Sequence, residues 1–430
     1  MAEPPVPARQ RKRRGVGLES AHLGYTYHRQ WFREMQAAVA AGEPFAIIAA
    51  EAPLEVLRAM DIPFVTVQWW SSLVSAKQKA PAYLNELRRR GWPDDQEQYF
   101  SLAFASCFDA DPQSAPWGGL PVPSIIIGDP RDDNQGKIYE LWARTCGADY
   151  FPFERAIQVG GPAQWWDFGP HRWADLIDPA LLDLHVAETW RLIRTLERLT
   201  GRVFDIERLR QVLDLVNETE EHFRAARDLI SNTRPAPVGV SDTFTSVMMP
   251  QWHRGTEWAR DAAGLFRQEV EDRARAGLGA CANERLRLAW LGQGLWFNVD
   301  FYEQFMADYG AVFVWSMYLG YAADAYLRYG DADPVRTLSS RYAVFTQYMS
   351  MEPWPSGWFV KEALQAGIDG VVILGDAWPF ADEAFLRAGI PLLRLSVHQV
   401  DSRQWDEARV TEALRHFIET TLGATAPSAR

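Results

Sequence analysis

The sequence predicts an α/β fold: two Rossmann-like or flavodoxin-like domains with parallel sheets, plus a helical middle segment. Three observations predict it. Short unbroken apolar runs near both ends, such as Phe45–Ala46–Ile47–Ile48–Ala49 and Gly370–Val371–Val372–Ile373–Leu374, have the pattern of strands buried on both faces. Stretches of helical periodicity and polar turns alternate with these runs, as βαβ units require. From about residue 176 to residue 282 the spacing is helical throughout, with almost no strand signal.

The elements follow in chain order. Pro4, Pro5 and Pro7 precede the run Arg9–Gln10–Arg11–Lys12–Arg13–Arg14, and no apolar segment follows it, so the start is not a secretory signal. A disordered basic tail is expected over residues 1–20. The N-terminal α/β domain is expected over 21–175. Helical spacing runs from Phe32 to Ala41 and stops at Gly42; a buried strand follows at Pro44–Ala50, a helix at Pro53–Met60 with Pro53 in its first turn, and a second strand at Phe64–Val67. A third strand, Ser124–Ile127, leads through the polar turn Gly128–Asn134 into a helix from Gln135 to Thr145. Polar residues after a buried strand sit at the carboxyl edge of the sheet, where α/β proteins bind ligands. The helical connecting domain, 176–282, contains helices at Ala187–Leu199, at Ile206–Ile230 with Leu209, Val212, Leu213, Val216 and Phe223 on one stripe, and at Glu257–Ala276. In the C-terminal α/β domain, 283–425, strands are expected at Leu286–Leu291, Ala311–Trp315, Gly370–Leu374 and Pro391–Leu395. Helices there run up to Asp308, up to Ala366, from Asp382 to Ala388, and from Glu407 to Leu422.

Composition narrows the function. A chain of 430 residues, 47% hydrophobic and 23% charged, builds ample cores, which excludes a mini-protein or a disordered chain. The formal net charge of −12 argues against a general nucleic-acid binder, whose affinity comes from neutralising phosphates. Three cysteines cannot all pair within the chain, which points away from a secreted disulfide framework and towards the cytoplasm. The longest apolar runs fall short of the roughly 20 residues that span a bilayer, so no membrane segment is expected. The 19 tryptophans suit bulky cores or flat aromatic pockets; Trp69, Trp70, Trp165, Trp166, Trp296 and Trp378 are candidates for the latter.

Several familiar constellations are absent. Gly292–Gln293–Gly294 follows a strand, but Phe297 stands where a dinucleotide fingerprint needs its third glycine. The eight histidines show no metal-ligand spacing, and no Gly-x-Ser-x-Gly elbow is present. Cys107, Cys146 and Cys281 are far apart in sequence. Three thiolates that meet in space suit iron; scattered ones also serve as small buried hydrophobes.

The segment from Phe32 through Gly42-Glu-Pro-Phe and the following Glu51-Ala-Pro-Leu-Glu-Val-Leu-Arg resemble the opening of the 2-hydroxyacyl-CoA dehydratase and benzoyl-CoA reductase family. Lys137-Ile-Tyr-Glu-Leu-Trp, Phe204-Asp-Ile-Glu-Arg-Leu, Gly367-Ile-Asp-Gly-Val-Val, Gly389-Ile-Pro-Leu-Leu and Phe417-Ile-Glu agree in order and spacing. The resemblance covers nearly the whole chain. It implies a cytoplasmic subunit that pairs with a related subunit and handles an acyl-CoA thioester. It also implies a [4Fe-4S] cluster, held by three cysteines of a subunit and charged by a separate ATP-dependent activator, which passes one electron to the thioester carbonyl; no side chain delivers a single electron.

Against that pattern, Cys107 matches the first ligand position. Asp132–Asp133 stands where the resemblance implies the second cysteine, and Gly375–Asp376–Ala377–Trp378 where it implies the third. The cluster is therefore expected on the partner rather than on this chain. Asp132, Asp376 and Glu51 become the candidate acid–base groups of a cleft between the two sheets, with Cys107 beside them, although an Asp at these places also caps the helix that follows. Glu55 is a further polar candidate. The expected function is a subunit of a 2-hydroxyacyl-CoA dehydratase-like or benzoyl-CoA reductase-like complex, shaping the substrate cleft beside a cluster-bearing partner. A non-catalytic acyl-CoA-binding or scaffold paralogue is the alternative, and a metal-independent lyase using the carboxylates alone is a third reading.

Overall fold

Apolar β-branched runs set the frame. In the computed structural model, which describes residues 15–109, 113–160, 164–329, 333–375 and 378–425, they form two four-stranded parallel sheets. The first holds β1 (Ala46–Ile48), β2 (Phe64–Thr66), β3 (Ile125–Gly128) and β4 (Asp149–Pro152) in the order β2-β1-β3-β4. The second holds β5 (Leu286–Leu291), β6 (Ala311–Ser316), β7 (Gly370–Leu374) and β8 (Leu392–Leu395) in the order β6-β5-β7-β8. Both sheets thus share one plan: the second strand lies outside the first, and the chain then crosses to the first strand's other side. Ile47 pairs with Val65 on one side and Ile126 on the other, and Ala289 lies beside Val371. The predicted α/β architecture with two parallel sheets and a helical middle segment is the one observed.

Central and edge strands differ in a way that explains what the sequence hides. β1, β2, β3, β6 and β7 are buried along their whole lengths, which is why they read as unbroken apolar runs. β4 is an edge strand of sequence Asp-Tyr-Phe-Pro with only Phe151 buried, and its mixed polarity gives no strand signal.

Between the sheets the chain forms the helices Pro179–Thr200, Ile206–Asn232, Val240–Trp252 and Glu257–Arg275. Ile206–Asn232 packs along Glu257–Arg275 and also against Met317–Asp324, while Pro179–Thr200 packs against Pro334–Ser350. Helices from the C-terminal third are therefore part of the same helical layer. Arg227, buried in Ile206–Asn232, donates to Asp324 at 2.7 Å and to Glu362 at 3.0 Å, fastening the layer to the second sheet's helices.

Some expected elements shift. The helix expected up to Asp308 is two short turns, Val299–Glu303 and Met306–Tyr309, and the last helix changes at His416 into a wider turn, Phe417–Thr421. Residues 1–14 of the expected tail lie outside the described residues; from Gly15 the chain is fixed, with Gly15 N–H donating to Glu303 and Val16 N–H to Asp242, each at 2.8 Å. The helix Glu19–Ala40 begins earlier than the apolar spacing suggests. Among the described residues no helix is long and apolar enough to cross a membrane.

Candidate functional site

The carboxyl ends of both sheets open onto one cavity of about 620 Å³. Ala50 and Glu51 follow β1, Gln68 follows β2, and Arg131 and Asp132 follow β3; from the other sheet come Gln293 after β5, Met317 after β6, Trp378 after β7 and Gln399 after β8. This is the position at which open α/β sheets bind ligands, here contributed twice. Gly292 is required at the end of β5: its φ is +121°, and a Cβ there would lie 2.8 Å from Leu374 Cβ of β7. The Gly292–Gln293–Gly294 turn therefore serves sheet packing and places Gln293, whose side-chain oxygen accepts from Gln399 at 2.6 Å.

Polar groups are grouped on the N-terminal side. Glu51 accepts from the Gln68 amide at 2.5 Å and lies 3.7 Å from the Arg131 guanidinium. Gln68 is itself fixed by the Ala50 N–H, which donates to its side-chain oxygen at 2.8 Å, and Tyr99 donates to its backbone carbonyl at 2.9 Å. Asp132 caps the helix Asp133–Cys146, accepting from Gln135 N–H at 2.8 Å. Glu97, in the left-handed region with φ 46°, brings its carboxyl against Asp132 and accepts from the Gln135 amide at 3.3 Å. Burial, then the Asp132 charge, pushes the Glu97 carboxyl above the ordinary carboxylate range. Two carboxyls in contact, one of them raised, can hold and pass a proton.

Across the cavity the helix Val240–Trp252 offers a donor. Gln251 is only 6% exposed, lines the cavity, and its amide nitrogen finds no acceptor in the protein. Such a group is costly unless a ligand or water takes the hydrogen bond. Behind it, Arg254 donates to Glu55 at 2.8 Å and to Tyr342 at 2.8 Å, and Tyr342 donates to the other Glu55 oxygen at 2.5 Å. The rest of the lining is largely aromatic and includes Phe100, Trp252, Tyr318, Tyr321, Phe345 and Trp378. Trp378 has φ 45°, and its carbonyl and that of Gly375 accept from Arg394 at 3.1 and 2.8 Å, so the loop after β7 is pinned at both flanks.

The sequence from residue 50 to residue 421 matches the family model described as 2-hydroxyglutaryl-CoA dehydratase, D-component. The chain belongs to that family. A benzoyl-CoA reductase component of Thauera aromatica is 30% identical over 247 residues, 53% of this chain and 57% of that protein. The alpha subunit of (R)-2-hydroxyisocaproyl-CoA dehydratase of Clostridioides difficile is 23% identical over 145 residues, 34% of this chain and 36% of that one. This D-component family chain thus aligns with little more than half the length of one relative and about a third of the other.

Within this family member the expected site residues part company. Glu51 and Asp132 both line the cavity, Asp376 lies outside the described residues, and Glu55 is withdrawn into the ion pair with Arg254. Cys107 does not line the cavity. It lies on the turn Ser106–Phe108, where its thiol donates towards Cys146 at the end of Asp133–Cys146. That bond and burial push the Cys107 thiol up, and the same bond lowers Cys146. Cys281 is in the other half of the chain, with its sulfur against the Met306 carbonyl at 3.5 Å. A cubane cluster needs three soft thiolates converging on one point; two thiols bonded to each other away from the cavity, and a third elsewhere, do not fit one. Among the described residues no group of three or more His, Cys, Asp or Glu could hold a metal ion.

The tryptophans also sort differently from expectation. Only Trp378 of the six candidates reaches this cavity, Trp69 and Trp296 line a second one, and Trp70 and Trp165 are wholly buried core. Sequence reasoning misses Glu97, Gln251 and Arg254 as site residues. They come from three separate elements, and Glu97 sits in an irregular loop without periodicity.

Proposed function

We propose that this chain is a subunit of a 2-hydroxyacyl-CoA dehydratase-like or benzoyl-CoA reductase-like complex that binds an acyl-CoA thioester in the cavity between its two sheets. The cavity itself carries the reading: an aromatic lining suits a flat acyl group, the unpartnered Gln251 amide suits the thioester carbonyl, and the Glu97–Asp132 pair stands ready for a proton. Family membership supports the thioester. The placement of the thiols supports an electron-delivering cluster on a related partner, charged by an ATP-dependent activator, while this chain binds, orients and handles protons in a cytoplasmic complex.

The test is anaerobic purification of the chain alone and with its genomic neighbour, followed by iron and acid-labile sulfide assays and titration with benzoyl-CoA and a 2-hydroxyacyl-CoA. The expected result is thioester binding by the chain alone, with iron and turnover appearing only with the partner. A stoichiometric [4Fe-4S] cluster in the isolated chain would overturn the division of labour. Binding without turnover in any combination would favour the non-catalytic paralogue, a reading the scattered thiols also suit.

A further inference from the structure

Beside the first cavity lies a second of about 480 Å³. Its walls come from the helix Glu19–Ala40 through Tyr25, from the helix Val67–Ala76 through Trp69, from Val240–Trp252 through Ser241, and from the stretch after β5 through Trp296. Met248 and Trp252, one helical turn apart on the same face, stand in the walls of both cavities. Tyr99, in the wall of the first, meets Trp296, in the wall of the second. A single layer of side chains therefore separates the two spaces.

Two buried donors in the second cavity lack an acceptor in the protein: the Ser241 hydroxyl, whose residue is 8% exposed, and the Trp117 indole N–H. Trp117 is held firmly in place. Its backbone is left-handed at φ 54°, its carbonyl accepts from the Gln36 amide at 3.3 Å, and the Arg29 guanidinium lies over its ring at 4.6 Å. A donor fixed in this way, in a mostly aromatic and apolar wall, favours a ligand that is largely apolar but carries acceptor carbonyls. A lone acyl group in the first cavity would leave both donors unmet.

Resting on the acyl-thioester reading above, we infer that the second cavity takes the amide-bearing arm of the thioester, whose carbonyl oxygens accept from Ser241 and Trp117, and that Met248 and Trp252 line the passage by which the arm enters the first. The acyl group and its carbonyl then lie by Gln251, and the arm runs along the helix Val240–Trp252.

Isothermal titration of the full-length chain separates the two cavities. The probes are S-benzoyl-pantetheine, which carries two amides, and S-ethyl thiobenzoate, which carries none. The wild type is expected to bind the pantetheine thioester at least about tenfold more tightly. Ser241→Ala and Trp117→Phe, which delete the donors while keeping the fold's bulk, are each expected to weaken the pantetheine thioester about fivefold, the worth of one hydrogen bond, and to leave the ethyl thioester within about twofold. Gln251→Leu is expected to weaken both probes. Equal affinity of the wild type for the two probes, or equal loss of both in the cavity-two variants, overturns this inference while leaving the thioester reading intact. Failure of both probes to bind removes the thioester reading, and the inference with it.

Discussion

The Glu55 carboxylate and the Arg254 guanidinium form a 2.8 Å ion pair in which the side chains are 0% and 2% exposed. The pair joins the short helix Leu54–Ala59 after β1 to the end of the helical layer, and Tyr342 from a third element bonds both partners. Burial pushes the Glu55 carboxyl up, but Arg254, Arg341 and the Tyr342 hydroxyl outweigh it and leave the group below its ordinary value. Removing one member leaves the other charge buried and unpaired, so Glu55→Ala is expected to cost about 3–5 kcal/mol. Because the folded value is depressed, the stabilisation is complete above the unfolded value of 4.5 and is lost as pH falls through the folded one. Urea midpoints of wild type and variant should therefore converge on acidification; a gap that stays constant down to strongly acid pH would contradict the ion-pair account.

Glu220 makes the opposite prediction. It is buried close to Arg341, Arg254 and Arg328, yet neither carboxyl oxygen makes a hydrogen bond within the protein, and burial, against the pull of those arginines, pushes it up to about 8. The folded state then holds a proton that the unfolded state releases above 4.5. Stability should fall as pH rises through this window, with a slope from this group of up to about 1.4 kcal/mol per pH unit. Glu220→Gln should flatten that slope and leave the variant more stable than wild type near the upper end, as read by denaturant midpoints across the window.

How legible these features are in the sequence depends on whether a residue's role leaves a pattern. Ile125–Ile126–Ile127 and Gly370–Val371–Val372–Ile373–Leu374 announce themselves because strands buried on both faces must be apolar throughout. Asp132 and Glu51 are legible as cavity residues because they follow such strands. Val240–Trp252 leaves no such signal. It is buried nearly all round, including Ser241, Asp242, Ser246 and Gln251, so it lacks the solvated face that makes helical periodicity visible. Gln251 and Arg254 owe their importance to what surrounds them in space, and spacing along the chain does not carry that. Cys107 shows the converse: its place in the sequence matches a ligand position, but its thiol meets Cys146 instead of the cavity.

Gly292→Ala tests the turn that closes β5. The new Cβ would meet Leu374 Cβ at 2.8 Å in a backbone conformation with φ +121°, so β5 and β7 would have to separate or the turn would have to rebuild. A loss of about 2 kcal/mol or more is expected in thermal or urea unfolding. Since Gln293 and its partner Gln399 line the cavity, thioester affinity should drop as well. An alanine tolerated at no cost would show that the strand ends have more room than the packing indicates.

The pairing of Glu97 with Asp132 yields the sharpest prediction about chemistry. If Glu97 supplies the proton, the reconstituted complex loses activity as pH rises through the Glu97 value, because only the protonated carboxyl can donate. Glu97→Gln keeps the shape and can still hydrogen bond to Asp132, but it holds no transferable proton; turnover should fall about 100-fold or more while thioester binding changes little, and the alkaline limb should disappear. Asp132→Asn is the more discriminating variant. Asparagine preserves the helix cap on Gln135 N–H, so the fold is spared. It also removes the negative charge that, after burial, raises the Glu97 carboxyl. The alkaline limb should then move to lower pH without vanishing. A limb that stays fixed in Asp132→Asn, or persists in Glu97→Gln, would assign the proton to another group, with Glu51 the next candidate through its place in the same wall.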